Sequence, residues 1–182
     1  RPIMGADGKA RYAVSIFRGK TRPERASYAI WAMTSTVSFL AYWADGAEES
    51  LWFAAGDFVV GLIMLSLAMK YGYAWVKKRD TLGILIAILG VVVWVLTDEP
   101  FYALLISVGV DAVGSVLVMV KSYEAPDTEN LLSWIIYLAA AVFALLAVGA
   151  LDFSLLFYPA YAMLSAIGVI GAIFVGRKKK VG

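Results

Sequence analysis

Six long apolar runs constrain this chain more than any other feature of its sequence. Each run holds roughly 17–23 residues, and a helix needs about 20 to cross the hydrocarbon layer of a bilayer. The apolar residues are continuous rather than alternating, so the runs predict helices and not the strands of a membrane barrel. We therefore expect an all-α integral membrane protein. The runs cover 27–44, 51–70, 81–97, 101–120, 131–150 and 154–176.

The composition agrees with this expectation and excludes several kinds of chemistry. Hydrophobic residues make up 62% of the chain, whereas a soluble domain holds about 45–50%. The sequence has no cysteine and no histidine, which removes disulfides, thiol nucleophiles, catalytic triads and most zinc or haem ligand sets. It also lacks a phosphate-binding loop and any nucleic-acid signature. We therefore expect no enzyme activity, no cofactor, no metal site and no nucleic-acid partner.

The placement of charges predicts which ends of the helices face the cytoplasm. If the runs cross the membrane alternately, all 16 lysines and arginines fall on one side. Because cytoplasmic segments carry the excess of lysine and arginine, this side is the inner one and the C-terminus is cytoplasmic. The turns on the opposite side contain only acidic charges: Asp45, Glu48, Glu49, Asp98, Glu99 and Asp152.

An internal repeat relates two parts of the chain. When the chain is displaced by 103 residues, RGKTRPERASYAIW at 18–31 aligns without gaps on KSYEAPDTENLLSW at 121–134. Each copy reads as a proline loop, an apolar helix, a short acidic turn and a second apolar helix with a basic end. Identical residues coincide at several positions, among them Pro23 with Pro126, Trp31 with Trp134, and Lys77 with Lys180.

The repeat predicts three segments. We expect a first three-helix repeat over 1–80, a linker transmembrane helix over 81–97 and a second three-helix repeat over 101–180, with the two repeats parallel. The first helix of the first repeat is the exception, because residues 1–11 are polar and only 12–17 resembles the inner end of a helix. The pattern therefore predicts six clear transmembrane helices and a seventh that is missing or truncated.

Two acidic residues, Asp57 and Asp111, lie inside predicted membrane spans. At the helical rise, Asp57 lies about 9 Å from the outer end of its span and Asp111 lies about 15 Å deep. A carboxylate in hydrocarbon is costly unless it faces a cavity, finds a partner or is protonated. Two interpretations stay open: the acids line a solute path or couple to protons, or they make hydrogen bonds between helices.

Aromatic and hydroxyl residues supply further candidates for solute contact. Ser35 shares a helix face with Trp31, and such a face suits a sugar-like or zwitterionic solute through stacking and hydroxyl contacts. Ordinary helix packing explains the same pattern. Trp134 is the counterpart of Trp31 in the second copy. Tyr161 lies beside the position that corresponds to Asp57, so the two copies differ chemically.

Pro23 and Pro126 precede a predicted span at matching positions in the two copies. A proline restricts its own backbone and that of the preceding residue, so it favours a turn at a helix boundary. We consider two roles for the pair: hinges for opening and closing, or simple turn formers.

This layout resembles the SWEET and PQ-loop (MtN3-like) membrane proteins. In that family a proline follows the first helix of each repeat on the cytoplasmic side, where Pro23 and Pro126 stand here. The stretch RGKTRPERASYAIW is similar to members of a poorly characterised bacterial branch. The resemblance implies two parallel three-helix repeats with a linker helix and a location in the bacterial cytoplasmic (inner) membrane. It also implies solute transport by alternating access between two helix bundles.

The sequence departs from the family in three respects. The Pro-Gln of the motif is Pro23-Glu24 in one copy and Pro126-Asp127 in the other. The first helix is incomplete, and the asparagine pair of sugar-transporting members has no clear match. The first hypothesis is therefore a transporter of a sugar-like or zwitterionic solute, as a monomer or homo-oligomer in the bilayer. The alternative is a non-transporting accessory subunit of a larger membrane complex.

Overall fold

The structure, a computed structural model, describes residues 3–44, 49–73, 77–97, 100–148 and 153–181. Within these ranges the chain is helical and contains no β-strand, which confirms the predicted all-α class. Of the acidic residues in the predicted outer turns, only Glu49 lies in the described part, at the start of a helix. The elements are α1 (Ile3–Phe17), α2 (Arg25–Ala44), α3 (Glu49–Tyr71), α4 (Lys78–Val95), α5 (Pro100–Glu124), a 3-10 helix η1 (Pro126–Thr128), α6 (Leu131–Ala147) and α7 (Phe153–Val181).

Three helices of the described part are long and apolar enough to cross a membrane. Their apolar segments are Ala54–Tyr71, Phe101–Glu124 and Leu156–Lys180, and Leu131–Ala147 forms a shorter apolar helix. The remaining predicted spans are helices that carry more polar residues. The helix α2 contains a run of hydroxyl residues in its middle, and α4 begins with Lys-Arg-Asp. The protein is therefore helical with three candidate membrane spans.

The helix α1 begins at Ile3 and ends at Phe17, so it extends well beyond residues 12–17, where the sequence pattern placed the inner end of a helix. Alanine, methionine and lysine are good helix formers, which explains why a polar segment still adopts helical structure. Its 15 residues extend over about 22 Å at the helical rise. The predicted segment boundaries at 80, 97 and 101 stay a prediction.

The described residues divide into two compact units, and we call Pro23–Leu117 the central unit. It contains α2, α3, α4 and the first two thirds of α5. The helices α2 and α3 approach closely at Gly61, where an added Cβ would lie 2.6 Å from Ser35 Oγ. Phe39 and Phe58 stack across the same pair, with ring centroids 5.1 Å apart. The buried core joins three of the helices: Ala26 and Ile30 of α2, Ala87 of α4, and Val110 and Leu117 of α5.

The terminal unit comprises Arg1–Arg22 and Val118–Gly182. It contains α1, the last residues of α5, η1, α6 and α7, with α1 packed on α6, and α7 packed on both α6 and η1. The helix α7 approaches the end of α5 at Gly176, where an added Cβ would lie 2.5 Å from the carbonyl oxygen of Tyr123. Its buried residues come from every helix: Tyr12, Ile16, Val118, Trp134, Ala141, Ala162, Ala166, Val169 and Ile173.

Candidate functional site

A buried ion pair lies at the centre of what we call the terminal junction, residues 121–134. Lys121, on the last turn of α5, places its Nζ 2.7 Å from Glu129 Oε1, and both side chains are 0% exposed. The ammonium group also donates to the carbonyl oxygen of Thr128 at 3.1 Å. Buried charges persist in proteins when they are paired and hydrogen-bonded. The junction therefore contains a salt bridge that is shielded from the surroundings.

The Glu129 carboxylate accepts hydrogen bonds from three parts of the terminal unit. The Tyr12 hydroxyl of α1 lies 3.2 Å from each carboxylate oxygen. The Trp134 indole N–H of α6 donates to Oε2 at 3.0 Å, and the backbone N–H of Asn130 donates to the same oxygen at 3.3 Å. With Lys121 on α5, one carboxylate connects three helices. Charge-assisted hydrogen bonds of this kind are stronger than neutral ones.

Neighbouring residues fix the path of the chain through the terminal junction. Pro126 is buried in the first turn of η1. The Asn130 side-chain oxygen accepts from the backbone N–H of Ser133 at 3.1 Å and so caps the N-terminus of α6. At the surface, Nζ of Lys180 on α7 lies 2.7 Å from Asp127 Oδ2. The hydrogen bond and positive charge of Lys180 hold the pKa of Asp127 below its ordinary value.

A second polar cluster, the central junction, covers residues 23–31 at the start of α2. Glu24 is buried, and its Oε2 accepts from the backbone N–H of Ser27 at 2.6 Å, which caps α2. Ser27 Oγ lies 2.7 Å from both Glu24 Oε2 and the Gly114 carbonyl oxygen, two acceptors for one hydroxyl proton. The Pro23 carbonyl accepts from the backbone N–H of Tyr73 at 2.9 Å. The junction thus connects α2 with α5 and with the end of α3.

Trp31 and Asp111, both predicted from the sequence, come together in the central unit. The Trp31 indole N–H donates to the Asp111 backbone carbonyl in a long hydrogen bond of 3.5 Å. Its ring lies directly on Gly114, where an added Cβ would be 2.7 Å from Nε1. Tyr28 packs edge-on against the same ring, with centroids 5.2 Å apart. The Trp31 ring therefore contacts the α5 backbone at Asp111, a residue whose side chain is half-buried.

The other predicted residues occupy different surroundings. Ser35 is buried, and its hydroxyl donates to the Ala32 carbonyl within α2 at 3.0 Å, which favours helix packing over solute contact. Asp57 has an exposed side chain on α3. Tyr161 is half-buried on α7, with its ring centroid 6.2 Å from that of Tyr158. Trp134 belongs to the terminal junction, and hinge motion at the prolines stays a prediction.

Sequence reasoning missed the buried charges of the two junctions. The sequence pattern singled out neither Lys121 nor Glu129, and it identified Glu24 only as a departure from the Pro-Gln motif. The local sequence contained no signal for the cap of α2, because Glu24 is not one of the usual N-cap residues Ser, Thr, Asp and Asn. No local signal existed for the contact between Glu129 and Tyr12, which lie 117 residues apart in the chain.

No comparison supplies a relative for this arrangement. Family models, curated proteins and solved structures contain no match to the chain. Among the residues that the structure describes, no three His, Cys, Asp or Glu side chains are grouped so that they could hold a metal ion. The function is therefore argued from the geometry and the sequence pattern alone.

Proposed function

We propose that this protein is a membrane transporter for a small sugar-like or zwitterionic solute, of the SWEET/PQ-loop type, which works by alternating access. The observation that carries the proposal is the matched pair of junctions. Pro23 and Pro126 are both fully buried and occupy the same position in the two copies of the repeat. Each is followed by a helix whose tryptophan donates its indole N–H to another residue: Trp31 donates to the Asp111 backbone carbonyl and Trp134 to the Glu129 carboxylate.

The pairing of helices supports a repeated architecture. With the displacement of 103 residues, α5 corresponds to α1, and α6 corresponds to α2. Within the terminal unit α1 packs on α6, and within the central unit α5 packs on α2. The first helix of each copy therefore packs on the second helix of the other copy. Parallel repeats of this kind are a recognised layout of transporters.

We place the solute site of this proposal in the central unit, at Trp31 and Asp111. The Trp31 ring supplies an aromatic face, and the half-buried Asp111 supplies a carboxylate on the helix that the ring contacts. Aromatic rings bind the apolar faces of sugars and attract cationic groups, and an intramembrane carboxylate hydrogen-bonds hydroxyls or pairs with an ammonium group. We therefore assign Trp31 and Asp111 to solute binding and propose Asp57 as a second polar group along the path.

The two junctions have different roles in this proposal. The terminal junction is joined by an ion pair and by charge-assisted hydrogen bonds, so it holds α1, α5 and α6 together as one body. The central junction depends on a capping carboxylate and on one hydroxyl between two acceptors. We propose that the central junction is the more easily rearranged of the two. Movement at Pro23 would then reorient α2 and the Trp31 ring during transport.

The alternative is a non-transporting subunit of a larger membrane complex, and one feature of α1 favours it. Its sequence contains Asp7, Lys9 and Arg11. Charged residues are costly in hydrocarbon, so a bundle that contains this helix has a face that a partner protein would complete.

Purification of the full chain from its native membrane in a mild detergent distinguishes the two functions. A transporter is expected to elute as a monomer or homo-oligomer whose mass contains no second protein in fixed ratio. Size-exclusion chromatography with light scattering and mass spectrometry of the peak measures this. A partner protein recovered at constant stoichiometry would contradict the transporter and support the subunit.

A further inference from the structure

An open polar cleft lies in the terminal unit, between the end of α1 and the start of α6. Three basic residues, Arg11, Arg18 and Lys20, line it on the α1 side. The charge pattern of the sequence predicts that both chain segments, 1–26 and 121–130, lie at the cytoplasmic face. The lining also includes the acidic residues Asp127 and Glu129, the amide of Asn130, and the apolar side chains of Val14 and Leu132.

A fixed turn holds two of the basic residues at the cleft. The helix α1 ends in a Schellman motif, in which the N–H of Gly19 donates to the Ile16 carbonyl and the N–H of Lys20 donates to the Ser15 carbonyl. Gly19 has a φ of 70°, the left-handed conformation that glycine adopts without strain. Arg18 and Lys20 flank this glycine, so their backbone positions are determined by the helix end rather than by a loose loop.

The acidic residues of the cleft are already neutralised. Glu129 is paired with Lys121, and Asp127 is paired with Lys180, each at 2.7 Å. Among the described residues, by contrast, the side chains of the three basic lining residues have no hydrogen-bond or ion-pair partner, and all three are exposed. The cleft therefore carries three positive charges that no acid of the described part balances.

We propose that this cleft binds a phosphate group. Arginine and lysine bind phosphate through charge-assisted hydrogen bonds, and arginine does so with two parallel donors. The amide nitrogen of Asn130 adds a neutral donor, because only its oxygen is used to cap α6. The proposal extends beyond transport and does not depend on it, because it concerns a different unit from Trp31 and Asp111.

Two sources supply such a phosphate: the headgroup of an anionic phospholipid or a free phosphate compound of the cytoplasm. The apolar side chains of Val14 and Leu132 border the charges, and they are 47% and 53% exposed. Anionic lipids are enriched in the cytoplasmic leaflet, and each nearby Lys or Arg strengthens their binding by roughly fivefold. The experiment therefore contains one arm for each source.

The test uses the full chain in detergent micelles, titrated with phosphatidylglycerol or phosphatidylcholine and followed by native mass spectrometry. The cleft variant is Arg11→Gln/Arg18→Gln/Lys20→Gln. The matched control is Lys70→Gln/Lys78→Gln/Lys178→Gln, which removes three charges from exposed residues of the same predicted face outside the cleft. We expect the dissociation constant for phosphatidylglycerol to rise by about tenfold or more in the cleft variant and by less than about threefold in the control.

The second arm adds inorganic phosphate to the same titration. The free compound is the source if millimolar phosphate displaces phosphatidylglycerol. It is also the source if inorganic phosphate binds without lipid and the cleft variant loses this binding. If only the lipid binds, the headgroup is the source. The proposal is overturned if phosphatidylcholine binds as tightly as phosphatidylglycerol and inorganic phosphate does not bind, or if both triple variants lose equal affinity. Should the cleft variant fail to give a monodisperse peak, Lys20→Gln alone is expected to weaken binding by roughly fivefold, and an unchanged affinity would overturn the proposal.

Discussion

Replacing Lys121 by methionine is expected to destabilise the terminal unit by roughly 3–5 kcal/mol, because it leaves a buried carboxylate without its counter-charge. Methionine preserves most of the volume of the lysine side chain, so the loss reports the charge rather than a cavity. Glu129 would keep the Tyr12 and Trp134 donors at 3.0–3.2 Å. Those neutral groups hydrogen-bond the carboxylate but do not balance its charge.

An exposed ion pair of equal length provides the control. Lys180 and Asp127 are also 2.7 Å apart, but their side chains are 50% and 65% exposed. Because water and salt screen exposed charges, Lys180→Met is expected to leave the unfolding transition almost unchanged. The double variant Lys121→Met/Glu129→Gln removes both buried charges and is expected to recover much of the loss. Thermal unfolding in detergent, monitored by tryptophan fluorescence, measures all three variants.

The comparison of the buried and exposed ion pairs also tests whether burial is the reason why Lys121→Met destabilises the protein. If Lys121→Met and Lys180→Met shift the midpoint of unfolding equally, the ion pair of the terminal junction is not the shielded interaction described above. If the double variant is less stable than Lys121→Met, the Glu129 side chain stabilises the unit through its other hydrogen bonds rather than through its charge.

The substitution Gly176→Ala adds one methyl group and is expected to lower the free energy of unfolding by about 1–3 kcal/mol. A Cβ at this position would lie 2.5 Å from the Tyr123 carbonyl oxygen and 3.1 Å from that of Ser122. Both are backbone atoms at the end of α5, so relief requires a helix to move. Small residues permit such close approach between membrane helices, and this is why glycine is needed here.

Gly171 on the same helix is the matched control, since an added Cβ there would meet nothing within 4 Å. Alanine is a better helix former than glycine by about 1 kcal/mol, so Gly171→Ala is expected to be neutral or stabilising. The two substitutions should therefore shift the unfolding midpoint in opposite directions in the same assay. Equal shifts, or a larger loss at Gly171, would contradict the close approach of α7 to α5.

The helical class and the three candidate membrane spans could be predicted from the sequence, because a helix needs about 20 apolar residues to cross a bilayer. The apolar segments Ala54–Tyr71, Phe101–Glu124 and Leu156–Lys180 overlap the predicted runs 51–70, 101–120 and 154–176 and extend past the end of each. The repeat likewise predicted that Pro23 and Pro126 occupy matching helix boundaries, and both are buried at helix junctions.

The chemistry of the junctions was not predictable in the same way. Lys121 is one of the positive charges that predict which side of the membrane is cytoplasmic. That prediction treats its side chain as solvated. In the structure the side chain is 0% exposed, because Glu129 lies eight positions later on the far side of the proline turn. Tyr12 and Trp134 both donate to Glu129, and local periodicity contains no information about Tyr12, which lies 117 residues from Glu129 in the chain.

The candidate site was partly predictable. Trp31 and Asp111 were chosen separately, for an aromatic face and for an intramembrane charge, and they meet because α5 packs on α2. Their contact depends on Gly114, whose missing side chain leaves space for the indole ring. Ser35 was chosen for the same face as Trp31, but its hydroxyl is used by the carbonyl of Ala32. Helical spacing identifies a shared face but not which neighbour occupies it.

The most direct test of the transport proposal is the initial rate of solute uptake into liposomes that contain the purified chain, measured for a panel of neutral sugars and zwitterionic amino acids. We expect at least one solute to enter faster than into protein-free liposomes. Gly114→Leu would displace the Trp31 ring and is expected to reduce that rate by roughly tenfold or more. Asp111→Asn is also expected to reduce it, whereas Gly109→Leu, where an added Cβ meets nothing within 4 Å, should retain it. Uptake no faster than in protein-free liposomes for every solute, or equal rates for the Gly114 and Gly109 variants, would contradict a transporter with its solute site at Trp31 and Asp111.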